Sequence, residues 1–284
     1  MTSQWRSQLG QFGVWRPAFQ TTPDLASGLE QLGFGAIWLG GSPDGDLEIV
    51  DQLLTATSSI VIGTSIVNIW KDDAATVAGS WRRIDAAFPG RFLLGVGAGH
   101  REATAEYRSP YDALASYVDQ LTSYHVPAEG IVLAALGPRV LRLAADRTAG
   151  AIPYLVPPEH TRLAREILGP DRLLAPEHKA VLDADPDRGR ALGRKRVANP
   201  YLRLVNYTSN LRRLGFTDAD LADSGSDQLV DALVAHGTAE EVATQLHAHL
   251  RTGADHVCFQ LLTEADTSPL AGYTALARGL GLTS

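Results

Sequence analysis

The sequence predicts an α/β chain folded as a (β/α)8 TIM barrel with an irregular insertion late in the barrel. Three observations carry that prediction. Eight short apolar runs recur along the 284 residues, most of them separated by helical patterns of about ten to fifteen residues. The clearest run, Ser59 to Asn68, is β-branched and apolar on both faces, as a parallel strand covered on both sides must be. Turn residues, with 27 glycines and 15 prolines in the chain, punctuate these runs sharply.

The elements follow in order. Leu9 to Trp15 is a first strand ending at Pro17. Thr22-Pro23-Asp24 then reads as a capped helix start, with proline where its missing N–H costs nothing. That helix carries Leu25, Leu29 and Leu32 on one face and stops at Gly33. Ala36 to Leu39 is the second strand, and Asp46 to Ser58 has helical pattern. After the third strand, Asp73 to Phe88 is a helix ended by Pro89-Gly90, and Arg91 to Val96 is the fourth strand. Pro110 to His125 and Pro138 to Thr148 are helices flanking the strand Gly130 to Ala135. Gly150 to Ile152 and Leu173 to Leu182 are weaker strands, and Asp255 to Leu261 is a strong last one after the helix Ala239 to Arg251. Eight alternating units favour a closed barrel over an open sheet. Residues 169–231 alternate poorly and read as the insertion, inside a single domain spanning 1–284.

Composition narrows the function. Net charge is −7, from 25 basic and 32 acidic residues, without the basic balance of a nucleic-acid binder. No run reaches the roughly 18 apolar residues of a membrane span, and Met1 to Gly10 lacks the apolar core of a signal peptide. The expectation is a cytoplasmic protein acting on a small molecule. Cys258 stands alone, which excludes an internal disulfide and a CxxC zinc site. The histidines show no ligand spacing, so no metal site is expected. No GxSxG elbow, P-loop or HExxH occurs either.

In a barrel the active site lies beyond the C-terminal strand ends. That rule selects Trp15-Arg16, Gly40-Gly41-Ser42, Ser65 to Trp70, Gly97 to Arg101 and Leu136 to Arg139. The helix beginning at Pro138 presents unpaired N–H groups suited to a phosphate, with Arg139 as an added donor; an ordinary strand-to-helix turn fits the same residues. His100 sits where a neutral imidazole can pass a proton, or serves only as a loop residue. Trp70 walls a flat ligand or packs on the rim. The basic run Arg188, Arg190, Arg194, Lys195 and Arg196 is a solvated helix face or a landing strip for an anion.

Several segments together resemble the luciferase-like superfamily, in particular its coenzyme F420-dependent oxidoreductases. They are Leu32 to Trp38, Ile62 to Trp70, Phe88 to Gly97, Ala134 to Pro138, and Gly253 to Val257. The resemblance implies a deazaflavin ring across the barrel mouth, supported by a third-strand bulge whose non-proline cis peptide matches Ser65-Ile66. It places Gly41, Ser65, Ile66, Asn68, Ala98, Gly99, Leu136, Gly137, Arg139 and Val140 on the cofactor. Trp15, Ser42 and Trp70 line the substrate pocket. Where the family's sugar-phosphate dehydrogenases carry an Asp-His pair and an acidic proton acceptor, this chain has Gly41-Ser42 and His100. His100 thereby becomes the catalytic candidate, and sugar-phosphate oxidation is disfavoured. The implied activity is hydride transfer between F420 and a small organic substrate, in a homodimer. An FMN-dependent luciferase-like monooxygenase is the alternative, and a catalytically silent cofactor-binding member is a third reading.

Overall fold

The computed structural model describes residues 2–99, 109–264 and 269–283. Its core is a ring of parallel strands. β1 (Phe12–Pro17), β2 (Ala36–Gly40), β3 (Val61–Thr64), β5 (Phe92–Gly97), β6 (Ile131–Leu133) and β7 (Gly150–Ala151) pair in succession, with the short β4 (Val67–Asn68) continuing β3 alongside β5. β8 (Leu173–Leu174) pairs with β7, while β9 (Glu177–Leu182) pairs with β11 (Val257–Leu261), and β11 returns to β1. Residues 173–182 therefore close the barrel. Their first half bonds to both neighbours: Glu177 N–H donates to the Pro153 carbonyl, and Cys258 N–H donates to that of Pro176.

All eight strand runs expected from sequence occupy the ring. Two elements went unforeseen. Residues expected to lead into the first strand form helix α1 (Thr2–Leu9), and β10 (Val234–Gly237) adds to the outer edge of β9. The stretch read as an insertion contains the closing strands and α8 (Pro186–Ala198). Only beyond residue 198 does it depart from alternation, into α9 (Val205–Arg213) and the short helices α10 (Asp218–Leu221) and α11 (Asp227–Leu233).

Strand alternation explains the packing. Odd positions of β1 and even positions of β2 point inward, so Trp15, Ala36, Trp38, Val61, Leu93, Val132, Ile152, Leu173 and Cys258 fill the lumen with Trp5 and Leu9 of α1. The opposite set packs outward against the helices. Beneath the lumen, His256 accepts a hydrogen bond from Trp38 Nε1 at 3.1 Å and donates through Nδ1 to the Gly10 carbonyl at 2.9 Å. Burial draws its pKa down to about 4, so the ring is neutral. Gly13 makes room for it: a Cβ there would lie 2.6 Å from His256 Nε2.

The outer helices obey their local signals. Thr22 accepts from Leu25 N–H to start α2 (Pro23–Gln31), and Asp73 accepts from Ala75 and Thr76 N–H to start α4 (Ala74–Ala87). Helix α12 (Ala239–Arg251) opens with a full capping box of Thr238 and Glu241.

Candidate functional site

The C-terminal mouth gathers most of the residues selected from sequence. The Ser65–Ile66 peptide is cis, at the break between β3 and β4. Ile66 then lies across Gly97, where a Cβ would come within 3.0 Å of Ile66 Cγ1 and 3.1 Å of the Ala134 methyl. Glycine and alanine at these positions keep the upper lumen shallow. Asn68 Oδ1 accepts from Trp70 N–H at 3.0 Å, and Trp70 Nε1 donates to the Ala98 carbonyl at 2.8 Å. Gly99 turns with φ +60 against Asn68, whose amide nitrogen leaves no space for a Cβ (2.9 Å). Loops after β4 and β5 are thus locked as one wall holding Asn68, Trp70, Ala98 and Gly99. Gly41 and Ser42, both at positive φ, turn the loop after β2, where the Ser42 carbonyl accepts from Lys71 Nζ at 2.8 Å. His100 lies outside the described residues.

A second group sits at the start of α6 (Pro138–Arg147). Gly137 occupies the cap position without any side-chain cap, so the first N–H groups of this ten-residue helix have no side-chain acceptor. His160 Nε2 donates to the Leu136 carbonyl at 2.9 Å and fixes the turn; burial lowers its pKa and keeps it neutral. Arg213 of α9 reaches over: its Nη2 lies 3.7 Å from where a Gly137 Cβ would stand, and it donates to Asn210 Oδ1 at 3.1 Å. The placement of Arg139 differs from a simple phosphate contact, since its guanidinium covers the Tyr111 ring at 4.4 Å. Val140 packs on the outer core.

Trp15 is more deeply set than a pocket rim. It is 7% exposed, its indole backs onto Gly40, and its ring centroid is 5.2 Å from that of Tyr154. Behind it stands a buried polar cluster that sequence reasoning passed over. Lys179 is fully buried and donates to Glu177 Oε1 at 3.0 Å, Tyr154 Oη at 2.9 Å and Gln260 Oε1 at 2.9 Å. Tyr201 Oη donates to Tyr154 Oη at 2.9 Å, and Leu155 N–H donates to Glu177 Oε2 at 2.9 Å. Burial lowers the Lys179 pKa and raises that of Glu177, and each opposes the other's shift by its charge. The available signal was parity: Glu177, Lys179 and Gln260 share the inward register of strands whose other inward residues are apolar.

The basic run resolves as a paired surface. Arg188 binds Asp183 and Asp185, Arg190 binds Asp231 and Arg194 binds Asp227. Among the described residues no group of three potential metal-ligating side chains comes together, and no helix is long and apolar enough to cross a membrane.

A flat, phosphorylated cofactor fits these residues on three counts. The upper lumen is walled by Ile66, Gly97, Ala134 and Trp15; the α6 N-terminus lacks a side-chain cap and has Arg213 close by; and Trp15 Nε1 has no acceptor among the described residues.

Known proteins agree with this arrangement. The family described as luciferase-like monooxygenase matches residues 2–119. No curated protein is similar to the chain in sequence. Among solved structures, an F420-dependent secondary alcohol dehydrogenase bound to an F420–acetone adduct superposes with a TM-score of 0.75 at 15% identity, covering 96% of this chain and 98% of that one. The F420-dependent tetrahydromethanopterin reductase of Methanopyrus kandleri gives 0.69 at 14% identity, covering 95% and 98%. The FMN-bound oxygenating constituent of 3,6-diketocamphane monooxygenase from Pseudomonas putida gives 0.69 at 14%, covering 94% and 95%. At such identities the likeness is one of fold. Residues 2–119 therefore carry a luciferase-like monooxygenase sequence, and the chain as a whole has the luciferase-like barrel fold.

Proposed function

We propose that this protein is an F420-dependent oxidoreductase that moves a hydride between the deazaflavin and a small organic substrate. The observation that carries this reading is the α6 N-terminus, which has no side-chain cap and lies beside Arg213 at the mouth of a lumen walled by small and flat side chains. Leu136, Gly137 and Arg213 would hold the phosphate, with Arg139 and Val140 in the same turn. Ser65, Ile66, Ala98, Gly99 and Gly41 would bound the ring, while Asn68 orients its edge. The bound cofactor supplies the hydride chemistry. The chain's own tasks are to exclude water, orient the substrate against Trp70 and Ser42, and move a proton through His100. A neutral imidazole at that position exchanges protons near neutral pH. The enzyme would work in the cytoplasm as a homodimer.

FMN is the second reading, favoured by the FMN-bound neighbour of equal coverage. Titration of the purified protein with F420 and with FMN, followed by cofactor fluorescence, separates them. Tight F420 binding with weak FMN binding is the expected result. The reverse preference, with oxygen consumed during turnover, would move the assignment to a monooxygenase. Binding of neither would remove the cofactor reading.

A further inference from the structure

Two hydrogen-bond donors stand side by side deep in the lumen without acceptors. In the β1–β11 ladder Gly13 pairs with Cys258 and Val14 with Phe259, so Trp15 lies opposite Gln260, both facing inward. Trp15 Nε1 is buried and unpartnered among the described residues, and the indole is pinned between Gly40 and Tyr154. The Gln260 carboxamide is oriented just as firmly. Lysine ammonium donates only, so the oxygen of Gln260 must face Lys179 Nζ at 2.9 Å, and the same oxygen accepts from Tyr154 Oη at 3.1 Å. Its amide nitrogen is thereby turned away from the cluster, with no acceptor among the described residues. The lysine charge also polarises the amide and strengthens that N–H as a donor.

We propose that Trp15 Nε1 and Gln260 Nε2 form a two-donor site for a ring carbonyl oxygen of the bound cofactor, with Lys179 as the positioning residue that favours negative charge on that oxygen. The proposal rests on the cofactor reading above. Depth assigns the oxygen to the cofactor over the substrate: Trp15 and Gln260 are 7% and 6% exposed, whereas the wall of Asn68 and Trp70 lies nearer the rim. Reduction places electron density on the heterocycle, so donors backed by a buried cation stabilise the reduced form over the oxidised one. The site then tunes the cofactor as well as holding it.

Gln260→Glu keeps the oxygen that Lys179 and Tyr154 require while removing the donor, and Trp15→Phe removes the other N–H while keeping a ring. Both variants, checked for wild-type thermal stability, are titrated with F420 and FMN, and the midpoint potential of the bound cofactor is measured. Loss of one hydrogen bond predicts roughly threefold to tenfold weaker binding for Trp15→Phe. Gln260→Glu should bind about tenfold to a hundredfold more weakly and lower the midpoint potential, about 30 mV for each tenfold loss confined to the reduced form. Should Gln260→Glu fail to fold, Trp15→Phe carries both readouts alone. Affinity and potential unchanged in the folded variants would overturn the proposal. Weaker binding at an unchanged potential would mark a packing defect and overturn it equally. A wild-type protein that binds neither cofactor would fail earlier, at the function on which the site depends.

Discussion

His256 gives the most direct test of how this barrel is held together. Its ring is fully buried and takes one hydrogen bond from Trp38 while giving one to Gly10, an arrangement that only the neutral tautomer satisfies. Burial lowers the folded-state pKa from 6.5 to about 4. The unfolded chain therefore binds the extra proton first as pH falls. Stability is intact above the unfolded value and is lost progressively between about 6.5 and about 4. A shift of about 2.5 units corresponds to roughly 3 kcal/mol when fully developed, and about 2 kcal/mol has gone by pH 5. Gln at this position keeps polar atoms but does not titrate. Urea unfolding of wild type and His256→Gln at neutral pH and near pH 5 isolates the contribution, because the other acid-sensitive groups cancel in the difference. The wild type should lose about 2 kcal/mol more than the variant across that interval. Equal losses in both proteins would refute the reasoning and mean that the buried ring is not what acid attacks.

Other outcomes follow from the same geometry. Lys179→Met strands the Glu177 carboxylate and should cost about 3–5 kcal/mol at neutral pH, measured as a lower thermal midpoint. Because Glu177 already has a raised pKa, the deficit should shrink as pH falls toward the ordinary carboxylate value of 4.5; a pH-independent deficit would deny the ion pair. Gly95→Ala drives a methyl to 1.9 Å from the Thr64 carbonyl and should destabilise by at least 1–3 kcal/mol on the scale typical of overpacking, visible as poor soluble yield or a depressed melting point. Arg213→Met should weaken FMN binding about tenfold while leaving riboflavin binding unchanged, since only FMN carries the phosphate. His100→Ala should retain cofactor affinity and lose about a hundredfold or more in turnover; unchanged turnover would remove its proposed role.

The barrel was legible because its strands are short, apolar and spaced by helices, and parallel burial makes that pattern hard to produce otherwise. The mouth residues were reachable through the strand-end rule, as the wall of Asn68, Trp70, Ala98 and Gly99 demonstrates. Helix α1 escaped because Thr2 to Leu9 has weak periodicity, and its helical state depends on Trp5 and Leu9 entering a lumen that local sequence does not reveal. Lys179 and Glu177 looked like ordinary strand-edge charges, since burial depends on partners up to 81 residues away, as with Gln260. Arg213 belongs to the late helical segment, whose approach to Gly137 is a tertiary fact with no counterpart in spacing.

Helix α1 has a kinetic meaning as well. Trp5 and Leu9 stop the lower end of the lumen, Trp5 Nε1 donates to the Glu129 carbonyl at 2.7 Å, and Arg6 holds Asp255 at 2.8 Å. The vessel has one door. Whatever rests on Trp15 and Gln260 must enter before anything stacked above it and leave after it, so traffic through the mouth is compulsorily ordered. A second reactant arriving early would block the first, and excess substrate should therefore slow cofactor association in proportion to its concentration.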